Sequence, residues 1–173
     1  VIWAAGEFQY PHARDATLFK GMELCMHNSS VTSWKELPGA DQFVVIGGYE
    51  SGMDAAFNLS MNGKRCTVVS PTAFWKVTTD DPSTELAPYT AERLRAACAT
   101  SVPPKLLASL RVSSVEKGKG NGSGYLVRAR WGPRPPQTPD SMGKHREQLP
   151  ATAAPATACK EGTELTLRTP QPP

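Results

Sequence analysis

The sequence predicts an α/β fold: a central parallel sheet with helices on one side and an antiparallel β-meander on the other. Three observations lead there. Phe43–Ile46 is a short run of β-branched and aromatic residues, the composition of a strand buried on both faces. The glycine turn Gly47-Gly48-Tyr49-Glu50-Ser51-Gly52 then opens a helix, and a second strand at Arg65–Val69 completes a β-α-β unit. Farther on, Leu110–Val115, Tyr125–Trp131 and Glu164–Arg168 alternate as the strands of a meander do.

Val1–Ala5 is expected to be a strand ending at Gly6, and the irregular stretch through Pro11, His12 and Asp15 to Gly21 fits a hinge between domains. Trp34 and Leu37 should cover an edge of the sheet before Pro38-Gly39 turns the chain. After the glycine turn, Met53, Ala56 and Phe57 stand at i, i+3 and i+4 on one helix face, and Asn62-Gly63 closes that helix. Ser70-Pro71 ends the second strand, and 72–86 reads as a loop. Thr90–Ala99 should be a helix with Leu94, Ala97 and Cys98 on one face and Glu92 in its first turn. Lys117–Gly124 is a glycine-rich hairpin tip. The stretch 132–161 is rich in Pro, Ala and Thr and poor in large apolar residues, so it cannot offset the entropy of ordering and should be a disordered insert within the meander.

The glycine turn is the segment that names a ligand. Gly47 permits a tight reversal, Gly52 permits close helix–strand packing, and backbone N–H groups at the helix start favour a phosphate. The pattern departs from G-x-G-x-x-G because Tyr49 stands at the middle glycine position. Gly48 can restore close backbone approach, and Ser51 adds a hydroxyl donor. The alternative is a strand-to-helix turn that binds nothing. A carboxylate that reads a ribose 2′-hydroxyl is expected about 20 residues beyond the glycines, and Ser70 stands there instead. With Lys76 nearby, this end of the strand suits the 2′-phosphate of NADPH better than NADH. Trp75 could stack on a ring of the cofactor, although packing is its commoner role. His27 and the pair Asp80-Asp81 are weaker candidates: a lone histidine usually hydrogen-bonds locally, and adjacent loop aspartates usually face water.

The 173 residues suit a single domain, and the start at Val1 and end at Thr169-Pro-Gln-Pro-Pro173 suggest a piece of a longer protein. No apolar run approaches a membrane span of about 20 residues, and no signal peptide opens the chain, so no membrane partner and a cytoplasmic setting are expected. Cys25, Cys66, Cys98 and Cys159 are far apart and form no C-x-x-C, which excludes the usual redox pair and metal knuckle. Three glycosylation sequons, at Asn28, Asn58 and Asn121, are read as chance matches. The net charge of +3 is too small to argue for nucleic acid, and the basic stretch from Lys105 to Arg146 carries no aromatic ladder.

Three segments in order carry a resemblance: Val1-Ile-Trp-Ala-Ala-Gly-Glu-Phe-Gln-Tyr-Pro11, Gly21-Met-Glu-Leu-Cys-Met-His-Asn-Ser29, and Val45-Ile-Gly-Gly-Tyr-Glu-Ser-Gly-Met-Asp-Ala-Ala56. Together they resemble the NAD(P)H-binding domain of flavoproteins with two dinucleotide-binding domains, in the pyridine nucleotide-disulfide oxidoreductase superfamily. The likeness is to thioredoxin-reductase-like, bacillithiol-disulfide-reductase-like and flavin-monooxygenase-like members. It implies a Rossmann-like, three-layer FAD/NAD(P)-binding fold. By this resemblance Gly47, Gly48, Tyr49, Glu50, Ser51 and Gly52 hold the pyrophosphate, and Ser70 and Lys76 lie beside the adenosine ribose. The implied activity is delivery of hydride from NADPH or NADH to FAD held by the rest of the same protein, the fragment alone being inactive. A flavin-dependent monooxygenase is the nearest alternative, and a non-catalytic nucleotide-binding or interaction module is the alternative of another class. No catalytic or metal-ligating residue is expected in this chain, and a homodimer is left open. Tyr49 departs from a usual glycine and Ala5 from a usual threonine, and the missing C-x-x-C argues against direct dithiol relay.

Overall fold

A computed structural model describes residues 19–37, 42–77, 85–119, 124–132 and 164–169. The expected strand at Val1–Ala5, most of the expected hinge, the aspartates at 80 and 81, and the insert at 132–161 beyond Gly132 lie outside the described residues. In chain order the elements are β1 (Gln42–Ile46), α1 (Glu50–Met61), β2 (Arg65–Val69), α2 (Pro88–Cys98), β3 (Lys105–Leu107), β4 (Leu110–Lys117), β5 (Tyr125–Trp131) and β6 (Glu164–Thr169).

β1, β2 and β3 form a parallel sheet in that order, with Ile46 opposite Val69 and Val69 opposite Leu107 at the carboxyl edge. β4, β5 and β6 form the antiparallel meander. Successive strand residues face opposite sides, and the parallel sheet uses both. Phe43, Val45, Cys66, Val68 and Leu106 pack with Met53, Ala56 and Leu59 of α1 and Leu94 of α2. Val44, Val69 and Leu107 pack with Leu110, Ala129, Leu165 and Leu167 of the meander. The result is three layers: helices, parallel sheet, meander. Trp34 and Leu37 join the helix-side core as the sequence suggests, and Lys64 donates to the Leu37 carbonyl at 3.2 Å.

α1 ends because Gly63 adopts a left-handed φ of 70°. Its amide donates to the Ser60 carbonyl at 3.0 Å, and the Lys64 amide reaches back to Leu59 at 2.9 Å, the paired bonds of a Schellman cap. α2 begins at Pro88, two residues earlier than its apolar pattern suggests, because proline is favoured in the first helical position, where no N–H is needed. Leu94 and Ala97 are buried as expected, whereas Cys98, the last helical residue, is exposed.

The described part of the expected hinge, residues 19–21, is pinned rather than loose. Lys20 forms a parallel bridge with Ser114, its amide donating to Ser113 and its carbonyl accepting from Val115 at 2.8 Å. The pairing sits where β4 shifts register between Val112 and Ser114. Gly21 then turns with φ 80°, and a Cβ there would lie 1.9 Å from the Val115 carbonyl oxygen, so no other residue fits.

Candidate functional site

The site is the junction of β1, the glycine turn and α1, at the carboxyl edge of the parallel sheet. Gly47 leaves β1 with φ 106° while its amide donates to the Val69 carbonyl at 2.9 Å, so the turn starts while still bonded to β2. Gly52, in the first turn of α1, lies directly against that turn: an added Cβ would stand 2.0 Å from the Gly47 carbonyl oxygen. Gly48 is buried between Ser70 and Trp75, each 2.7 Å from where its Cβ would be. All three glycines are therefore demanded by geometry. Gly47 and Gly52 let the start of α1 sit flat on the end of β1, whereas Gly48, expected to offer close backbone approach to a ligand, is instead packed against Ser70 and Trp75.

Tyr49 is the N-cap of α1 with extended backbone, and its carbonyl accepts the first intrahelical bond, from Met53 at 2.9 Å. The amides of Glu50, Ser51 and Gly52 precede that ladder, at the positive end of the helix dipole. Ser51 is exposed beside them. This arrangement fits a pyrophosphate, which needs backbone donors and no intruding side chain.

The remaining residues expected at the site are placed in distinct ways. The Tyr49 side chain leans away from the helix start, its ring 4.9 Å from Phe74 and its hydroxyl donating to the Glu85 carbonyl at 3.1 Å. The Glu50 carboxylate reaches α2, where one oxygen accepts from the Ala87 amide at 2.6 Å and the other from the Thr90 hydroxyl. Ser70 is fully buried under Gly48, its hydroxyl accepting from the Thr72 amide at 3.4 Å and its backbone bonded to Leu107 and Leu110. Lys76 closes a single 3-10 turn, Phe74–Lys76, that carries Trp75 onto Gly48. Beside Gly47, on the meander side, a cleft of about 180 Å³ is walled by Ile46, Val69, Pro71 and Leu110, with Arg111 also lining it.

Sequence patterns did not reveal the interlock of this turn with α2. One face of α1 holds it: Asp54 pairs with Arg93, whose guanidinium lies 4.1 Å from the Phe57 ring. His27 accepts from the Ser29 amide at 3.3 Å and meets its hydroxyl at 2.8 Å, a local turn remote from the glycines in sequence. Burial pushes the Cys66 thiol up to about 11, against a smaller lowering by the Ser60 hydroxyl, and burial also raises Cys25 and Cys98. None of the three is therefore a ready thiolate nucleophile. Among the described residues no group of three His, Cys, Asp or Glu could hold a metal ion, and no helix is long and apolar enough to cross a membrane.

A parallel β-α-β unit with a glycine turn at its carboxyl edge, backed by an antiparallel meander, is a Rossmann-like α/β arrangement. The family model for pyridine nucleotide-disulphide oxidoreductases matches residues 1–134, well over half of the chain. The chain belongs to that family. Among solved structures it is similar to thioredoxin reductase of T. acidophilum, at 16% identity and a TM-score of 0.42, covering 79% of this chain and 31% of that one. It is also similar to bacillithiol disulfide reductase of Bacillus cereus, at 18% identity and a TM-score of 0.41, covering 79% of this chain and 28% of that one. The chain thus spans about a third of the length of these reductases.

Proposed function

We propose that this chain is the NAD(P)H-binding domain of an FAD-dependent oxidoreductase. The observation that carries the proposal is the Gly52–Gly47 contact, which seats the amide end of α1 directly against the carboxyl end of β1. Bound nicotinamide dinucleotide would supply a hydride, and FAD on the rest of the protein would accept it.

The chain's own part is to bind and to orient. The amides at the start of α1 receive the pyrophosphate, with the Ser51 hydroxyl beside them. The cleft next to Gly47, about 180 Å³ against roughly 300–1,000 Å³ for a whole ligand site, has room for one ring of the dinucleotide and not for all of it. NADPH is the preferred cofactor, because the end of β2 carries no carboxylate to repel a 2′-phosphate and Lys76 stands on the turn that follows. The buried Ser70 side chain supports the floor of the turn, so Lys76 is the side chain expected to meet the phosphate.

The test is anaerobic mixing of the whole flavin-loaded protein with NADPH or NADH. Flavin absorbance should bleach, faster with NADPH. Binding without bleaching would leave a nucleotide-binding module and remove the oxidoreductase assignment. Oxygen incorporated into a substrate during turnover would identify a monooxygenase instead.

A further inference from the structure

α2 enters without a capping group of its own: its N-cap is Ala87, with no side-chain hydrogen bond, and proline follows. Alanine is among the poorest N-cap residues because it has no acceptor for the exposed amides. What the sequence of α2 lacks, α1 provides. One Glu50 oxygen accepts from the Ala87 amide, as the glutamate of a capping box does within a single helix, and the other accepts from Thr90 in the first turn of α2. The neighbouring Tyr49 donates to the Glu85 carbonyl, and Asp54, one helical turn farther along α1, pairs with Arg93. The turn that would hold the pyrophosphate and the entrance of α2 are thus joined at three consecutive points.

We propose that Glu50 is a positioning residue that caps α2 in trans and so fixes the glycine turn for nucleotide binding. This rests on the nucleotide-binding function proposed above. Its carboxylate is turned toward the amide end of α2 and away from the anion, which removes a repulsive charge from the proposed pyrophosphate site while anchoring the backbone on which that site depends. Docking of α2 and binding of the dinucleotide are then linked: each favours the other by the same free energy.

Thr90→Val separates this role from direct contact, because it leaves Glu50 intact and removes only a donor on the far helix. In the whole protein, the NADPH dissociation constant of T90V, measured by equilibrium dialysis well below the unfolding temperature, should rise about threefold to tenfold, the scale of the net contribution of one ordinary hydrogen bond. Glu50→Ala should weaken binding further, and Glu50→Gln, which can still accept from the Ala87 amide, should recover most of the loss. Val127→Ala in the meander serves as control: it should lower the melting temperature and leave the dissociation constant unchanged. Tight NADPH binding by wild type together with wild-type affinity in T90V and E50A would overturn the positioning role and leave the proposed function standing. No binding by folded wild-type protein would overturn both.

Discussion

At the residue scale, the glycine turn depends on positions where a side chain cannot exist. Gly52 has no space for a Cβ against the Gly47 carbonyl, so Gly52→Ala must separate α1 from β1. The expected loss is about 2–3 kcal/mol of stability, readable by denaturant unfolding, with nucleotide binding lost at temperatures where the variant is still folded. Gly63 makes the contrast, since nothing lies near its Cβ position and only its positive φ objects. Gly63→Ala should cost about 1 kcal/mol and spare binding. Gly47 and Gly52 were legible in the sequence as the turn between a strand and a helix, because they stand between an apolar run and a helical pattern. The sequence could not reveal that Glu50 and Tyr49 bond outward, because their partners lie 35 and more residues away and leave no local pattern. Cys66 yields a pH prediction. Its folded thiol titrates near 11 against an ordinary value of 9.0, so the unfolded chain ionises first as pH rises. Its contribution is complete below pH 9 and is lost between pH 9 and about 11. Unfolding curves at pH 8 and pH 10.5 should show that fall, and Cys66→Ala should flatten it.

At the element scale, periodicity told helix from strand wherever a segment was long enough to show a period. β1 and β2 were recognisable as apolar runs flanking a glycine turn, and α1 by Met53, Ala56 and Phe57. β3 was not, because Lys105–Leu107 is three residues long, follows Pro103-Pro104 and shows no alternation. It is a strand because β2 offers it a parallel edge, which is a tertiary cause. Cys98 was expected on the buried face of α2, but the helix ends at that residue and exposes it. The α1–α2 pair is held by apolar contact and by Arg93, which bridges Asp54 and stacks between Phe57 and Tyr89. Arg93→Ala should destabilise by about 1 kcal/mol in thermal melts, since the ion pair is partly solvated and the stacking contact adds to it. Arg93→Lys should not fully restore stability, because an ammonium cannot stack as a planar guanidinium does.

At the scale of the whole molecule, the three layers explain where a ligand can go. Helices cover one face of the parallel sheet and the meander covers the other, so the carboxyl edge, with its glycine turn and cleft, is the part of the sheet that neither layer covers and where the proposed nucleotide site lies. The meander and the β-α-β unit were both legible from alternation and turn residues, and their stacking follows from the apolar residues on both faces of β1 and β2. A ligand at that edge binds only the folded chain, so NADPH at roughly a hundredfold excess over its dissociation constant should stabilise by about 2.7 kcal/mol. Calorimetric titration of NADPH into wild type and G52A separates the proposed dinucleotide site between Gly47 and Gly52 from a strand-to-helix turn that binds nothing. Saturable binding of one NADPH per chain in wild type, abolished in folded G52A, is the predicted result. Equal binding by the two proteins, or none by folded wild type, would contradict it.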